Sequence, residues 1–456
     1  MTEPGTGQVD LSGTRIAIVN WRDPWHPEAG GAERHAWEVA RGLVARGAVV
    51  EFVTSRAPCQ SRRDRRDGIG IARMGGRFTV YPLVLAWLAV RRWAFTAVLD
   101  CQNGIPFFTP WVLSRRVPVL CVMFHVHTAQ FGMHFPGWAA RVGRLLEGPA
   151  ARLAYRRHAC VAISPSTVTA MREGLRWPGD IYMIPTGVMA PVLAPPAGPP
   201  ESGTAHADRE GREPVVWVGR LVAHKRAELL LDVAERLGPA GVCVEVVGRG
   251  PAAGPLAAQV AERGLGDSLR LHGYLPEEAK LALVSGAMLH LNTSCGEGWG
   301  LCVLEAAALG LPTVAFDVPG LRDAVRDGET GWLVKDGERI EDVTQRALKE
   351  LSDPVRRAAV ATACRDWAAS FPWEASVARM AGLVHAAIQH GTFRAQCRGA
   401  WVVSVAGPAG AHEVVAEGPV LDTLLGEDSP VALVRPATAL ERLLGRQLSQ
   451  VADGPP

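Results

Sequence analysis

The chain has 456 residues, 48% of them hydrophobic, and a formal net charge of +2. This length predicts two large domains or three small ones, and the near balance of charge argues against a strong general attraction to nucleic acid or membrane. Nine scattered cysteines without a CxxC pair argue against a disulfide framework and a zinc site. The polar N-terminus lacks the apolar stretch of a signal peptide, and the longest apolar run, residues 80–90, is too short to span a bilayer. We therefore expect a cytoplasmic protein, with residues 80–90 forming a core helix, and an interfacial face on this helix is left open.

The first part of the chain has the pattern of a doubly wound α/β domain. Apolar strands are predicted at residues 16–19 and 49–54, and the helix between them begins at Gly30-Gly31 and ends near Gly47. Parallel strands joined by helices predict a sheet with helices on both faces. Further strands of this domain are predicted at 97–100, 117–124 and 161–164.

A second α/β pattern follows a segment dense in Pro, Gly and Ala. Its strands are predicted at 215–218, 242–247, 269–272, 288–292 and 313–316, with a helix at 229–237. The predicted boundaries are a first domain 1–190, a linker 191–213, a second domain 214–372, an amphipathic helix within 373–394 and an unassigned extension 395–456. Within the extension, the sequence predicts a strand pair and a helix at 437–448. Ligands of such sheets bind beyond the carboxyl ends of the strands, so we expect a cleft between the two domains.

The strongest chemical signal is a glycine-rich segment that carries two carboxylates, Glu297 and Glu305. Gly298 and Gly300 let backbone N–H groups approach a ligand, and the helix that we expect from Val303 favours an anion such as a diphosphate at its N-terminus. The carboxylates can accept hydrogen bonds from sugar and ribose hydroxyls. The alternative is an exposed loop glutamate and a helix glutamate without function.

Two further segments place groups suited to phosphate at strand ends. Arg220 and Lys225 follow the 215–218 strand, where they can neutralise a phosphate, although an isolated basic pair is more often two surface cations. Gly30 and Gly31 form a strand-to-helix turn that allows backbone contact with phosphate or sugar, although such a turn is often only structural.

His125 ends the 117–124 strand and can bond a sugar hydroxyl or polarise the reacting centre, with His127 as the alternative. A structural histidine is the competing interpretation. We find no DxD motif and no nearby acidic residue to complete a metal site, so we expect no metal. The stretch that begins at Asp100 is interpreted as a turn, with a place in an acceptor cleft left open. The basic run 62–66 is predicted to be a solvated loop, which leaves peripheral contact with anionic lipid or an anionic acceptor open.

Taken together, these motifs resemble the retaining GT-B glycosyltransferases of family 4, over residues 14–390. The matching features are the Gly-Gly-Ala-Glu turn from Gly30, the Val-Gly-Arg strand end with its lysine, the Glu-x7-Glu segment and the strand that begins at Leu311. The resemblance implies two Rossmann-like domains, with the nucleotide on the second. Three features depart from the family pattern: Arg249 in place of an acidic residue, the long linker, and the extension after residue 395.

The resemblance also implies roles for the residues. Arg220 and Lys225 would hold the diphosphate, Glu305 the ribose, and Glu297 and His125 the transferred sugar. The backbone of Gly298, Trp299, Gly300 and Leu301 would approach the sugar and phosphate.

The expected function is a retaining, metal-independent transfer of a hexose from a nucleotide-sugar donor, with UDP favoured and no cofactor. The acceptor is unidentified; a small natural product or a cell-envelope precursor of a bacterium is the class that we expect. The alternative from another class is a non-catalytic nucleotide-binding partner subunit with the same fold. A phosphorylase is disfavoured because the chain has only four lysines, none placed for a pyridoxal cofactor.

Overall fold

The computed structural model describes residues 9–179, 181–188 and 213–390, together with the backbone of three short strands between residues 401 and 436. The chain divides into two compact units. Unit 1 comprises the chain up to Gly187 and the chain from Trp373 onward, and unit 2 comprises Val188–Pro372. The predicted linker 191–213, except for its last residue, and the predicted helix 437–448 lie outside the described residues.

Unit 1 is built on an eight-stranded sheet. Its strands are β1 (Arg15–Val19), β2 (Val49–Thr54), β3 (Arg63–Arg66), β4 (Ile69–Arg73), β5 (Ala97–Asn103), β6 (Val119–His125), β7 (Ala159–Ala162) and β8 (Ile181–Met183). The order is β3-β4-β2-β1-β5-β6-β7-β8, and every neighbouring pair is parallel except β3–β4. The central strand β1 is apolar from Ile16 to Val19 because helices cover both faces of a parallel sheet. The chain reverses its direction of winding between β1 and β5, which is where such folds bind ligands.

The helices of unit 1 are α1 (Gly31–Val44), α2 (Val80–Ala89), α3 (Phe131–His134), α4 (Gly137–Leu145), α5 (Ala151–Tyr155) and α6 (Pro165–Thr169). Helix α1 follows the predicted periodicity, since it buries Trp37, Ala40 and Leu43, which lie three residues apart on one face. A π-helical turn, Leu146–Ala150, joins α4 to α5.

The prediction of a loop for the basic run 62–66 is wrong. Residues Arg63–Arg66 form β3, an edge strand antiparallel to β4. The two strands are joined by Asp67 and Gly68, whose φ angles of 49° and 79° suit a tight hairpin turn. An edge strand tolerates polar residues on both faces, since it need not bury either one, and the arginines of β3 are indeed largely exposed.

Unit 2 contains a six-stranded, fully parallel sheet. Its strands are β9 (Glu213–Val218), β10 (Val242–Val247), β11 (Leu269–Gly273), β12 (Leu289–Asn292), β13 (Thr313–Phe316) and β14 (Gly331–Val334). Its helices are α7 (Leu229–Leu237), α8 (Ala253–Glu262), α9 (Glu277–Ser285), α10 (Leu301–Ala308), α11 (Leu321–Ala324), α12 (Ile340–Leu351) and α13 (Pro354–Ala369). The strand order is β11-β10-β9-β12-β13-β14, the order of dinucleotide-binding folds. The winding reverses between β9 and β12, so the loops after these strands lie side by side. The prediction of two doubly wound parallel sheets is confirmed.

The last described helix, α14 (Trp373–His390), belongs to unit 1 and packs against α1. Ser376 near its start donates a hydrogen bond of 2.6 Å to the carbonyl of Pro185. Three strands follow, β15 (Trp401–Gly407), β16 (Gly410–Ala416) and β17 (Val431–Pro436), and pair antiparallel in the order β16-β15-β17. The extension therefore holds three strands where the sequence predicted two. Across the described part of the chain, every helix is too short or too polar to cross a bilayer.

The α1–α14 contact depends on a glycine. A Cβ atom added to Gly42 would lie 2.0 Å from Cγ1 of Val377. Alanine normally stabilises a helix interior by up to about 1 kcal/mol relative to glycine, but here we expect Gly42→Ala to destabilise the protein by about 1–3 kcal/mol through overpacking. Gly254→Ala in α8, whose Cβ meets no atom within 4 Å, is the matched control and is expected to raise the thermal midpoint. Val377→Ala should rescue Gly42→Ala; a midpoint that Gly42→Ala leaves unchanged would contradict this contact.

Candidate functional site

The loops after β9 and β12 in unit 2 are joined by an ion pair between Lys225 and Glu297. The two side chains are only 13% and 17% exposed. Lys225 ends a short 3-10 turn, Ala223–Lys225, and Glu297 lies in the glycine-rich loop that precedes α10. The topology therefore brings together two of the residues that the sequence singled out, 72 positions apart.

Each member of this pair keeps the other ionised. Burial opposes the charge of Lys225, but the Glu297 carboxylate outweighs it and raises the pKa of Lys225. Burial likewise favours the neutral form of Glu297, but Lys225 and a hydrogen bond from Ser294 lower the pKa of the carboxyl. A nearly buried lysine held in its charged form is suited to stabilising an anion that arrives from solvent.

Neighbouring polar groups hold the pair in place. The Ser294 hydroxyl donates to Oε1 of Glu297 at 2.6 Å, and the Glu297 N–H donates to the carbonyl of Pro319 at 3.0 Å. On the other side, Thr293 Oγ1 donates to the Lys225 carbonyl at 2.5 Å and accepts from Nε1 of Trp217 at 3.0 Å. Sequence reasoning missed Ser294 and Thr293, because a serine or threonine after a strand carries no distinctive signal.

The turn between Glu297 and α10 needs glycine. Gly300 precedes the first residue of α10 with a φ of 74°, in the left-handed region that side chains other than glycine rarely adopt. The helix begins at Leu301, two residues before the predicted start. Because the first-turn N–H groups of a helix have no partners within the helix, this N-terminus can receive an anion.

The thiol of Cys302 is influenced by the charges of Lys225, Glu297 and Glu305. Burial raises the pKa of its thiol to about 11; the charge of Lys225 opposes this rise, and those of Glu297 and Glu305 add to it. Arg220, which is exposed, acts on the charge of Lys225. Arg220, Lys225, Glu297 and Glu305 all lie in the segments that follow β9 and β12, at the carboxyl edge of the unit 2 sheet.

Trp299 contributes differently from its neighbours. Its side chain is 4% exposed and packs edge-on against Phe371, with ring centroids 5.1 Å apart. Only the backbone of Trp299 is therefore placed to meet a ligand. Arg249, at the position where an acidic residue was expected, stacks over Tyr274 with 4.9 Å between its guanidinium carbon and the ring centroid.

In unit 1, the first turn of α1 is fixed by its own residues. The Gly30 N–H donates to Oε2 of Glu33 at 2.8 Å, so this carboxylate caps the helix start. Gly31 is the first helical residue and is exposed. This turn follows β1, and His125 ends β6; in a parallel sheet both positions lie at the carboxyl edge.

The two candidate histidines lie together at the end of β6. Their rings are 5.1 Å apart, and Nδ1 of His127 is 2.9 Å from the carbonyl oxygen of His125. Nε2 of His125 lies 3.0 Å from the Gln130 amide nitrogen. Both side chains are half-buried, so the structure leaves both as candidates for contact with a sugar.

A buried carboxyl group, Glu147, supports this histidine loop. It lies in the π-helical turn after α4 and accepts hydrogen bonds from the His127 N–H at 2.5 Å and the Thr128 hydroxyl at 2.9 Å. Burial raises the pKa of Glu147 to about 7, although both hydrogen bonds oppose the rise. The sequence offered no sign of this residue, because its partners lie about twenty positions earlier in the chain.

This raised pKa predicts a pH dependence of stability. Since the folded state holds the Glu147 proton up to about pH 7 and the unfolded state loses it near 4.5, stability should fall as pH rises between these values. Glu147→Gln keeps the shape and removes the titration. We expect similar thermal midpoints at pH 5, and at pH 8 a variant that is more stable by up to about 3 kcal/mol. Glu173→Gln, an exposed site, is the control; a parallel pH profile for Glu147→Gln and the unmodified chain would contradict the assignment.

Asp100 has a structural role. It lies within β5, not in a turn, and is fully buried. It accepts hydrogen bonds from the backbone N–H groups of Phe107 and Thr109, the Thr109 hydroxyl and the Tyr155 hydroxyl. These bonds fix the segment after β5, so the carboxylate is not available to an acceptor. In the part of the chain that the structure describes, no three His, Cys, Asp or Glu side chains are grouped as a metal site would require.

The comparisons with known proteins agree with this arrangement. Residues 201–367 match the family model "Glycosyl transferases group 1", and residues 29–189 match the model "Glycosyltransferase Family 4". The chain is 31% identical to a D-inositol 3-phosphate glycosyltransferase of Frankia alni, over 77% of this chain and 93% of the relative. It is 37% identical to the enzyme of the same name from Rhodococcus opacus, over 39% of this chain and 42% of the relative. The matches to the first such relatives span about two fifths of their length.

A solved structure shares the fold. HepE of Anabaena in complex with UDP and glucose superimposes with a TM-score of 0.63 at 16% identity, over 82% of this chain and all of that chain. Two Rossmann-like sheets, each with its candidate residues at the carboxyl edge, define the GT-B class of transferases. The chain belongs to the group 1 glycosyltransferases, family 4.

Proposed function

We propose that this enzyme transfers a hexose, with retention of configuration and without a metal ion, from a nucleoside diphosphate sugar that binds to unit 2. The observation that carries the proposal is the nearly buried Lys225–Glu297 pair, with Arg220 close by and the N-terminus of α10 following Glu297 in the chain. UDP is the favoured nucleotide, and the complex of HepE with UDP and glucose supports this choice.

The chemistry follows from where charge develops. As the bond between the sugar anomeric carbon and the diphosphate oxygen breaks, negative charge grows on the diphosphate. Lys225, Arg220 and the first-turn N–H groups of α10 stabilise that charge, which a metal ion does in other transferases. Such preorganised groups are most effective where water is scarce, as around Lys225.

The other residues orient the donor. Glu297 and His125, or His127 in its place, contact hydroxyls of the transferred sugar, and Glu305 accepts hydrogen bonds from the ribose. The backbone of Gly298, Trp299, Gly300 and Leu301 lies against the sugar and the phosphates. The acceptor hydroxyl bonds to the anomeric carbon on the face that the diphosphate leaves, and its proton passes to the departing phosphate oxygen, so that no protein nucleophile is required.

For the acceptor we propose a hydroxyl of a small polyol or of a cell-envelope precursor. Several relatives are D-inositol 3-phosphate glycosyltransferases by name, which makes inositol 3-phosphate the first acceptor to test. A GDP-mannose-dependent phosphatidylinositol monomannoside mannosyltransferase of Mycolicibacterium smegmatis, 28% identical, supports a lipid-linked inositol as the second.

Donor binding can be tested by thermal unfolding with a panel of nucleoside diphosphates and their sugars, in EDTA. A ligand at 100 times its dissociation constant should stabilise the protein by about 2.7 kcal/mol. We expect one nucleotide, UDP first, to shift the midpoint, and Glu305→Gln to reduce the shift. Glu278→Gln, on the exposed start of α9, is the matched control and should keep the shift. A panel without any shift, or a shift that requires Mg²⁺, would contradict the proposal.

A further inference from the structure

Positive charge is concentrated in one stretch of unit 1. Residues 68–172 contain twelve arginines and two acidic residues, Asp100 and Glu147. Both acidic side chains are fully buried, so they do not neutralise the surface. The formal net charge of +2 for the whole chain therefore conceals a strongly basic region and leaves the remaining residues net negative.

Helix α2 in this region presents an apolar face to solvent. Its ten residues, VYPLVLAWLA, carry no charge. Val80, Val84 and Leu88 are buried in unit 1, whereas Leu83 and the following Val90 are 45% and 80% exposed. The outward face of a surface helix is normally polar. The prediction that residues 80–90 form a core helix is therefore correct for only one side of α2.

Helix α4 also presents an apolar face to solvent. Trp138, Val142 and Leu145 are spaced four and three residues apart, so they form one stripe, and all three are exposed, Trp138 to 73%. The buried positions of α4 are the small residues Ala140 and Gly143. The larger apolar side chains of this helix thus point away from the protein core.

The segments that precede the two helices are linked by an edge-on contact between two aromatic rings. Phe78 before α2 and Phe135 before α4 have ring centroids 6.4 Å apart. The Arg77 guanidinium lies 5.4 Å and 5.8 Å from these two centroids. We call the exposed side chains around this junction the α2–α4 surface. It consists of Phe78, Leu83, Val90, Trp138, Val142 and Leu145.

We propose that the α2–α4 surface docks this enzyme on an anionic lipid bilayer. Exposed tryptophan, phenylalanine and leucine side chains enter the boundary between headgroups and acyl chains, and arginines beside them, Arg92 and Arg141 among those exposed, bind lipid phosphates. The combination of apolar anchors with basic residues supplies the two signals that stable peripheral binding requires. A second copy of the chain is a poorer occupant, since pairing two such surfaces would bring arginines together.

Sedimentation with vesicles of phosphatidylglycerol or phosphatidylcholine, without donor or acceptor, tests this inference independently of the transfer reaction. We expect the full chain to bind phosphatidylglycerol vesicles at low salt at least tenfold more tightly than phosphatidylcholine vesicles, and to be released as salt rises. Binding to neither kind of vesicle, or equal binding to both, would overturn it.

Two double variants test the residues. Arg92→Gln with Arg141→Gln should weaken binding about 25-fold, on the basis of about fivefold per arginine. Trp138→Ser with Leu145→Ser should weaken it more than tenfold.

Two double variants on unit 2 serve as matched controls, and all four positions are exposed. Arg236→Gln with Arg339→Gln matches the arginine variant, and Tyr274→Ser with Val355→Ser matches the apolar variant. Both matched variants should leave vesicle binding within about twofold, and circular dichroism should verify that all four variants are folded. Unchanged vesicle binding by the folded Trp138→Ser/Leu145→Ser variant, or a dimer of the unmodified chain that this variant abolishes, would overturn the proposal.

Discussion

Replacing Lys225 with methionine is expected to lower kcat/KM by about 10²–10³, because the leaving diphosphate loses a charge held in a nearly buried position. The same change leaves Glu297 without its partner, which should cost about 3–5 kcal/mol of stability. Initial rates with a saturating acceptor and varied donor concentration, together with the thermal midpoint, measure the two effects.

A second variant separates catalysis from stability. Lys225→Met combined with Glu297→Leu replaces the ion pair with apolar side chains, and such replacements are often neutral or stabilising. We expect the midpoint to recover and kcat/KM to stay lowered by at least about 10²-fold. Lys280→Met, which breaks the pair of Lys280 with an exposed Glu277, is the matched control and should leave kcat/KM within about twofold. Recovery of activity in the double variant would show that Lys225 serves the fold alone.

Gly320→Ala is expected to damage both the fold and the site. A Cβ atom at Gly320 would lie 2.2 Å from the carbonyl oxygen of Glu297, and its φ of 80° already disfavours a side chain. The backbone of Glu297 must move, so we expect a loss of several kcal/mol in stability and at least a tenfold loss in kcat/KM. Thermal midpoints and initial rates measure these losses.

Gly328→Ala provides the comparison, since Gly328 has a φ of 77° and open space around its Cβ position. It should cost only the conformational strain, about 1–2 kcal/mol, and retain activity. Equal losses in the two variants would mean that strain alone, and not displacement of Glu297, explains the effect.

The sequence predicted helices and strands correctly where the pattern of apolar residues is typical of a single kind of secondary structure. β2, β10 and α7 have the predicted bounds, since runs rich in β-branched residues and a 3.6-residue stripe each have one common interpretation. The β3–β4 hairpin was missed because charged residues dominate it. The Asp67-Gly68 pair between the two strands is a strong hairpin signal.

The donor-side residues were predictable and their supporting residues were not. Lys225 and Glu297 lie in recognisable motifs, whereas Ser294 and Glu147 act through partners that only the folded chain brings near. Burial also decides which part of a motif residue can contact a ligand. Trp299 lies inside the glycine-rich motif, yet its side chain packs against Phe371. Local sequence carries no information on such contacts.

For this chain we propose, above all, transfer of a hexose from a nucleotide sugar with retention of configuration and without a metal ion. The most direct test incubates the purified chain with an α-linked UDP-hexose and inositol 3-phosphate in EDTA, and reads the anomeric configuration of the product by NMR. We expect an α-linked product that forms in EDTA, and that forms about 10²–10³ times more slowly with Lys225→Met. A β-linked product, or a reaction that EDTA abolishes and Mg²⁺ restores, would contradict it.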